Sequence, residues 1–205
     1  MLPELLQKSN LYYLLYRIDM DLAGQCREYG CPYCGGRLHR ADYVRKPRGG
    51  PVSIPEPYLL RHSFCCGRPD CRKRTLPPSC RFWGRRVYWG CVILVVMALR
   101  QGRTTGFSIN KIMKMFAISR KTVCRWIFYF REHFPTTDRW RKLRGRVSAQ
   151  VQDSSLPTGL LEYFFDHYRS VEMGLVACLH FLAAPNEGRW RSRKRWGIPL
   201  YIAPC

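Results

Sequence analysis

The sequence predicts a mainly α-helical protein with one small β ribbon near its N-terminal end. Two observations predict this class. Apolar residues recur at helical intervals over most of the chain, whereas one early segment is rich in proline, glycine and paired cysteines. We expect six parts in order: an N-terminal helical segment at 1–28, the ribbon at 29–85, a helical domain at 86–134, a basic linker at 135–158, a helical pair at 159–188 and a basic tail at 189–205.

The N-terminal segment has the pattern of one amphipathic helix or of two consecutive helices. Its apolar and aromatic side chains recur at helical spacing, and no proline follows Pro3 before residue 29. These side chains are Leu5, Leu6, Tyr12, Tyr13, Leu15, Tyr16 and Ile18. Two segments are candidates for a homodimer interface: this one and residues 159–184.

Four cysteines in two tight turns predict a metal site in the ribbon. Cys31 and Cys34 flank Pro32 and Tyr33, and Cys66 and Cys71 close the second turn. Two close pairs separated by a turn-rich gap are what a tetrahedral Zn²⁺ ion needs, because each turn supplies two thiolates. The gap then folds back as a hairpin. We place its short strands at 37–45, 58–65 and 72–76, and the fold is thus a zinc ribbon followed by helices.

The choice of ligands has alternatives. Cys65 competes with Cys66, and either His39 or His62 lies close enough in sequence to replace a cysteine, although a polar strand position is the simpler role for both. Eleven cysteines, an odd number, and no secretory signal peptide favour a reducing cytoplasm over disulfide bonds. Three other cysteines sit in apolar helical patterns and are expected in the core: Cys91, Cys124 and Cys178.

The segment 86–134 predicts an apolar helix followed by a helix-turn-helix. Gly102 and Gly106 end the first helix, a short helix covers 109–116, and Ser119 is a suitable N-cap for a helix that begins at Arg120. Four apolar side chains on that helix, at i, i+3, i+4 and i+7, form its inner face: Val123, Trp126, Ile127 and Phe130. The alternative is an ordinary helical hairpin within a core.

The outer face of this second helix is the predicted DNA-binding surface. Its side chains suit phosphates and guanine edges in a major groove. They are Arg120, Lys121, Thr122, Arg125 and Tyr129, with Lys121 and Arg125 expected nearest the bases. Lys142 and Arg144 belong to a basic run in the linker at 135–158. This run either follows a phosphate backbone or forms a solvated helix face.

The last third of the chain predicts a helical pair and a tail of different character. The pair at 159–184 carries an acidic and aromatic surface that suits contact with another protein. The tail alternates cations with tryptophan between Arg189 and Trp196, a pattern that either grips phosphates and stacks on bases or belongs to a disordered end.

The charge distribution indicates a polyanionic partner. The formal net charge is +21, and residues 31–150 alone carry 26 basic and five acidic side chains. So dense a field is typical of proteins that bind nucleic acid in a salt-dependent way. A membrane is not expected as the partner, because the longest apolar run, 91–99, is too short to span a bilayer and ends at Arg100.

The order of these parts resembles the N-terminal DNA-binding half of bacterial insertion-sequence transposases and the short proteins that such mobile elements encode beside the transposase. The resemblance covers roughly residues 29–134. It is carried by Cys31-Pro32-Tyr33-Cys34, by Cys66 through Cys71 with Arg72-Lys73-Arg74 directly after, and by the helices from Ile109 to Phe130. It implies a DNA-binding role in transposition and a transposase or integrase as a protein partner.

The departure from that family concerns catalysis. A transposase of this kind continues into a ribonuclease-H-like domain with three metal-binding carboxylates, and no such sheet is readable after Phe134. We therefore expect a non-enzymatic, zinc-dependent DNA-binding protein. The alternatives are a compact nuclease or recombinase, or a module that binds RNA or a guide complex. Candidate catalytic residues for the enzyme are His62, Tyr129, His133, Asp138 and His167.

Overall fold

The computed structural model describes residues 2–51, 53–101 and 108–183, which form a mainly helical fold with two small sheets. The predicted class, mainly helical with a minor β part, is confirmed. The helices are α1 (Leu2–Leu5), α2 (Ser9–Tyr29), α3 (Glu56–Leu59), α4 (Gly90–Gln101), α5 (Ile109–Phe116), α6 (Arg120–Phe128), α7 (Asp138–Arg144), α8 (Thr158–His167) and α9 (Val171–Ala183). A π-helical stretch, Tyr129–His133, follows α6, and 3-10 turns span Phe134–Thr136 and Asp153–Ser155.

The cysteine segment contains two short antiparallel sheets. The first has the strand order β1–β4–β5 and the second pairs β2 with β3. The strands are β1 (Leu38–Arg40), β2 (Tyr43–Val44), β3 (Leu60–Arg61), β4 (Phe64–Cys66) and β5 (Arg74–Thr75). The strands predicted at 37–45 and 58–65 are therefore each divided in two, and the second of them begins with helix α3.

A largely buried carboxylate explains the division. Asp42 lies between β1 and β2, and its Oδ1 accepts a hydrogen bond from the N–H of Ser63 at 2.9 Å. Its Oδ2 lies 3.2 Å from Nδ1 of His62. Because this side chain takes a backbone amide at the point where β3 gives way to β4, the ladder is interrupted there.

Helix α4 is the centre of the main core. Every residue from Gly90 to Leu99 is buried, as expected for a helix that is apolar on all sides. It packs against α5, α6, α8 and α9. The helix begins later than the predicted residue 86, because residues 88 and 89 are held extended by bridges from Tyr88 to Arg48 and from Trp89 to Phe82.

Helices α5 and α6 lie where the sequence places them. Ser108 and Ser119 cap their N-termini, each accepting a hydrogen bond from the backbone N–H three residues later. Ala117 ends α5 in the left-handed region, with φ of 49°, and turns the chain into α6. The inner face of α6 contacts α4, with Val123 fully buried and Trp126 nearly so.

Residues 135–158 differ from the expected linker. Helix α7 carries Trp140 and Leu143 into the main core, and Trp140 Nε1 donates a hydrogen bond to Asp153 Oδ1 at 2.7 Å. The many basic residues of this segment favour a solvated linker when the sequence is considered alone. Its two buried side chains lie three residues apart, at helical spacing, and anchor the helix.

The helical pair α8–α9 packs against α4 and α2 and completes the main core. A separate small cluster of buried residues lies in the cysteine segment: Ala23, Cys26, Cys31, Leu38, Phe64 and Cys66. The main core contains residues from both ends of the described chain, from Leu6 to Ala183. The other boundaries of the six-part division and the dimer through 2–28 or 159–184 stay predictions.

Some predictions fall outside the described residues. The helix break at Gly102 and Gly106 and the basic tail at 189–205 belong to this group. Within the described ranges, no helix combines the length and the apolar character that crossing a bilayer requires.

Candidate metal centre and nucleic-acid interface

The four predicted cysteines meet at one point of the structure. The Sγ atoms of Cys31, Cys34, Cys66 and Cys71 all lie within 4.8 Å of one another. Sγ of Cys31 is 3.8 Å from Sγ of Cys71, and Sγ of Cys34 is 3.4 Å from Sγ of Cys66. A tetrahedron with metal–sulfur bonds of about 2.3 Å has edges of about 3.8 Å. The four sulfurs are thus spaced to hold one metal ion, and they are too far apart for disulfide bonds.

The backbone around the sulfurs repeats one pattern four times. Each Sγ receives a hydrogen bond from the backbone N–H two residues later in the chain. The donors are Tyr33 for Cys31, Gly36 for Cys34, Arg68 for Cys66 and Lys73 for Cys71. Such donors stabilise negative charge on sulfur, and groups in this position orient metal ligands and tune them.

Each of the four thiols affects the pKa of its neighbours. Burial raises the pKa of Cys31, but hydrogen bonds from the N–H groups of Tyr33 and Cys34 outweigh it and lower the pKa to about 7. For the other three thiols the backbone N–H acts to lower the pKa. Burial and the neighbouring sulfurs outweigh that effect, so the net pKa of each is raised. One thiolate forms readily, and a cation is needed to hold all four.

Two glycines allow the first turn to close. Gly30 has φ of 78°, and a Cβ there would lie 3.1 Å from the carbonyl oxygen of Gly35. A Cβ on Gly36 would lie 2.9 Å from Cγ of Arg68 and 3.1 Å from Sγ of Cys66. A side chain at position 30 would crowd the carbonyl groups that close the first turn, and a side chain at position 36 would push the two cysteine turns apart, so both the first turn and its approach to the second depend on glycine.

The structure decides between the competing ligands. Cys65 points away from the cluster, and its Sγ lies 3.4 Å from the carbonyl oxygen of Arg72. His39 lies on β1 over Gly67, and His62 is paired with Asp42, so neither replaces a cysteine. The reason is strand alternation, since adjacent residues of β4 point to opposite sides of the sheet.

Two of the three cysteines expected in the core lie there. Cys91 and Cys178 are fully buried, and burial raises the pKa of both thiols, that of Cys91 to about 12. Cys124 is exposed, which corrects the prediction. It directly follows the buried Val123 on α6, and the rotation of about 100° between successive helical residues places it on the solvent side with Arg120 and Phe128.

The exposed side of α6 is strongly basic. Arg120, Lys121 and Arg125 are all exposed, and the latter two are one helical turn apart on the same face. Lys114 on α5 is exposed as well. The sequence has no Asp or Glu between positions 70 and 132, so no acid on these two helices offsets their charge.

Two residues that were predicted on the exposed DNA-binding face, Thr122 and Tyr129, are half-buried in the structure. Thr122 is half-buried, and its Oγ1 lies 3.0 Å from Oγ of Ser119, so its hydroxyl belongs to the helix cap. Tyr129 is also half-buried, with the guanidinium of Arg86 4.2 Å from its ring centre. Position 129 is i+4 from exposed Arg125 but i+3 from buried Trp126, which places it at the boundary of the two faces.

The two residues predicted as backbone contacts lie on α7. Lys142 is exposed, and Arg144 is exposed but lies 3.1 Å from Asp153 Oδ2. Arg139, from the same basic run, is largely buried, and desolvation lowers the pKa of its guanidinium. The run is therefore a helix with one solvated face and only a part of its charge available to a partner.

The candidate catalytic residues of the alternative function are dispersed. Among the described residues, none of the five side chains hydrogen-bonds to another. His62 pairs with Asp42, Asp138 with Arg141, and His167 with the carbonyl of Tyr163, while His133 packs on Phe128 and Tyr129 on Arg86. A cleft of about 800 Å³ lies between α6 and α8, and none of the five candidates lines it.

Two exposed aromatic residues in the cysteine segment were not predicted as functional. The ring of Tyr33 lies under the ammonium of Lys73, with 4.4 Å to its centre, and that of Tyr43 lies 5.8 Å from the guanidinium of Arg74. The signal in the sequence is the Arg72-Lys73-Arg74 run after Cys71. Only the fold shows which rings it reaches.

Comparison with known proteins gave no match: no family model, no curated protein and no solved structure is significantly similar to this chain.

Proposed function

We propose that this chain is a zinc-dependent DNA-binding protein that uses α5 and α6 as a helix-turn-helix. The observation that carries the proposal is the exposed basic face of α6, which is held outward because Val123 and Trp126 anchor the opposite face on α4. A rigid helix with cations on one side and no acid near it in sequence is suited to a major groove.

Zn²⁺ is the ion proposed for the four cysteines. Tetrahedral four-sulfur sites in proteins hold zinc or iron, and zinc with four protein ligands is structural because no coordination position is open to a substrate. The thiol groups at metal-binding distances, rather than in disulfides, also support the assignment to a reducing cytoplasm.

Elemental analysis of the purified protein tests the metal. We expect about one zinc per chain, lost after Cys66→Ser and retained after Cys65→Ser, because only the first sulfur faces the cluster. Cys65→Ser is the matched control, since it changes the adjacent residue of the same strand. Iron in place of zinc, or equal retention in both variants, would contradict the assignment.

Duplex binding through α6 is tested by fluorescence anisotropy on a selected DNA site. Arg125→Ala is expected to weaken binding by about 1–3 kcal/mol and to relax the preference at one base pair, because a bidentate guanine contact is lost. Arg17→Ala, which removes an exposed arginine from α2, is the matched control and is expected to leave affinity nearly unchanged. Equal effects of the two substitutions would show that α6 does not enter the groove.

The same binding reaction addresses the enzyme alternative. Labelled duplex incubated with Mg²⁺ or Mn²⁺ is expected to shift without cleavage, since the candidate catalytic side chains are dispersed. Cleavage that survives further purification would favour the nuclease or recombinase.

The biological role we propose is that of an accessory factor or regulator of a bacterial mobile element. It is supported by the resemblance of the cysteine pairs and of the α5–α6 segment to the DNA-binding half of insertion-sequence transposases. A transposase or integrase is then the protein partner, and its coding sequence is expected next to that of this chain. Copurification of the two proteins from cells that express both would test the contact.

A further inference from the structure

One arginine of the described chain is largely buried without a counter-charge. Arg81 is paired with Asp19, and Arg61 donates hydrogen bonds to two backbone carbonyl oxygens. Arg139 on α7 differs from both. In the part of the chain that the structure describes, no carboxylate is paired with it, and its Nε is buried without a hydrogen-bond partner. Buried donors in proteins are nearly always satisfied, so this guanidinium indicates a ligand.

A second arginine lies on the aromatic residue that adjoins Arg139. The guanidinium of Arg86 is 4.2 Å from the ring centre of Tyr129. Of the titratable groups around Arg139, Tyr129 acts most strongly on its guanidinium. All three side chains are partly exposed, so a ligand can reach them. We name Arg86, Tyr129 and Arg139 the arginine–tyrosine cluster.

The turn that carries Arg86 is held in place by its neighbours. Arg45 donates from Nη1 to the carbonyl oxygen of Gly84 at 2.8 Å and from Nη2 to that of Arg86 at 2.7 Å. The N–H of Arg86 donates to the carbonyl oxygen of Trp83 at 3.2 Å. The ring of Trp83 in turn packs edge-on against that of Tyr129, with 6.3 Å between the centres. Arg86 is thus positioned before any ligand binds, which lowers the entropy cost of binding.

The nearby acids of the chain do not neutralise the cluster. Asp138 directly precedes Arg139 but lies 3.5 Å from Nη1 of Arg141. Asp153 accepts hydrogen bonds from Trp140 and Arg144 instead. Among the described residues, Glu132 forms no ion pair with either arginine of the cluster. The cluster is therefore a site for an anion that comes from outside the described chain.

The cluster lies at the end of the exposed basic face of α6. Tyr129 follows Arg125 by one helical turn and is about 12 Å from Lys121 along the helix axis. The major groove of B-DNA is also about 12 Å wide. A helix that brings Lys121 and Arg125 to base edges therefore carries its far end to the border of the groove, where the phosphates lie.

We propose that Arg86 and Arg139 bind the duplex backbone at a phosphate beside the end of α6 and so set the position of α6 in the groove. This inference rests on the proposed function. Guanidinium groups suit phosphate because their N–H donors form paired hydrogen bonds with its oxygens. Tyr129 holds Arg86 with its ring, rather than making the contact predicted for it. Such contacts fix the register of a protein on DNA and carry no base information, so both arginines are positioning residues.

The test uses duplexes in which one phosphodiester at a time is replaced by an uncharged methylphosphonate. The replacement is moved along both strands of the selected DNA site, and binding is measured by fluorescence anisotropy. We expect a linkage at which the original protein loses affinity about tenfold, because charged hydrogen bonds are lost. At that linkage Arg86→Gln should lose nothing further, since its contact is already absent. Arg139→Gln is expected to be insensitive at the same or the adjacent linkage.

The dependence of binding on salt gives a second readout. In Arg86→Gln the slope of log affinity against log salt concentration should become shallower by about 0.9, as expected for one phosphate contact. Base preference should stay as in the original protein, in contrast to Arg125→Ala. Arg85→Gln is the control, because it removes the exposed neighbouring arginine, and should change neither quantity.

Conservative variants separate a contact from a structural role. Arg86→Lys should keep the salt slope but lose part of the affinity, because lysine retains the charge without the planar fork. Tyr129→Phe keeps the ring that holds Arg86 and should bind like the original protein, whereas Tyr129→Ala should weaken binding to all sequences alike. Circular dichroism and metal content show whether each variant is folded, and the scan of the original protein does not depend on any variant.

Three outcomes would overturn the proposal. Equal binding by Arg86→Gln and Arg85→Gln, with Arg125→Ala still weakened, would remove the backbone contact and leave α6 in the groove. Equal sensitivity of Arg86→Gln and the original protein at every linkage would show that the arginines hold an anion other than a DNA phosphate, such as a partner's carboxylate. Absence of duplex binding by the original protein would overturn the proposed function as well.

Discussion

At the scale of single residues, a buried ion pair connects the long N-terminal helix to the cysteine segment. Asp19 on α2 accepts hydrogen bonds from the N–H of Cys80 at 2.6 Å and from Nε of Arg81 at 2.8 Å. Arg81, fully buried, also donates to the carbonyl oxygens of Tyr58 and Leu60. Every charged atom of the pair thus has a partner, which is the condition under which buried charges are tolerated.

Removal of the carboxylate from this pair is expected to be strongly destabilising. Asp19→Ala leaves the Arg81 guanidinium buried without its counter-charge, so the free energy of unfolding should fall by about 3–5 kcal/mol. Urea denaturation measures the change. The control is Asp166→Ala, which removes an exposed carboxylate from α8 and should cost within about 0.5 kcal/mol. A loss below about 1 kcal/mol for Asp19→Ala would show that the pair contributes little.

At the scale of elements, α6 has two faces with separate tasks. The buried face fixes the helix, with the rings of Trp126 and Tyr88 5.1 Å apart and Val123 fully buried. The exposed face carries Lys121 and Arg125 and makes no contribution of comparable size to the core. Substitutions on the two faces should therefore separate stability from binding.

This separation gives a prediction for Trp126→Ala. The variant should lose about 3–5 kcal/mol of stability, because a large buried ring is removed and a cavity is left. Cys124→Ala, two positions earlier and exposed, should change stability by less than about 0.5 kcal/mol. Thermal unfolding followed by circular dichroism measures both. If Trp126→Ala were as stable as Cys124→Ala, α6 would not be anchored through this ring.

At the scale of the whole molecule, the protein has a large apolar core and a small one. The main core spans α2 and α4 to α9, whereas the small cluster surrounds the cysteines and consists largely of them. A cluster of this size supplies little hydrophobic free energy, so we expect the fold of the cysteine segment to depend on a metal ion at the four cysteines and the helical core not to depend on it.

Metal removal should consequently unfold one part of the chain. After chelation, amide hydrogen exchange is expected to accelerate in residues 31–75 and to stay slow in α4, α8 and α9. The helical circular dichroism signal should fall only slightly. Cooperative loss of the helices together with the ribbon would contradict the independence of the two cores.

Features that depend on neighbouring residues could be predicted from the amino-acid sequence. Cys31 and Cys34 share a turn, and Ser119 caps α6 by accepting a hydrogen bond from the N–H of Thr122, three residues later. Spacing and turn chemistry were therefore enough to predict both features. The limits of α5 and the start of α6 follow from the same short-range rules.

Features that depend on which face of an element packs against which neighbour became visible only in the assembled fold. The choice of Cys66 over Cys65 required the register of β4, and the exposure of Cys124 required the packing of α6 on α4. Burial of Trp140 joined the expected linker to the core, and Asp19 found its partner 62 residues away at Arg81. Contacts at such separations leave no periodic trace in a sequence, because their energy depends on the assembled core and not on neighbouring residues.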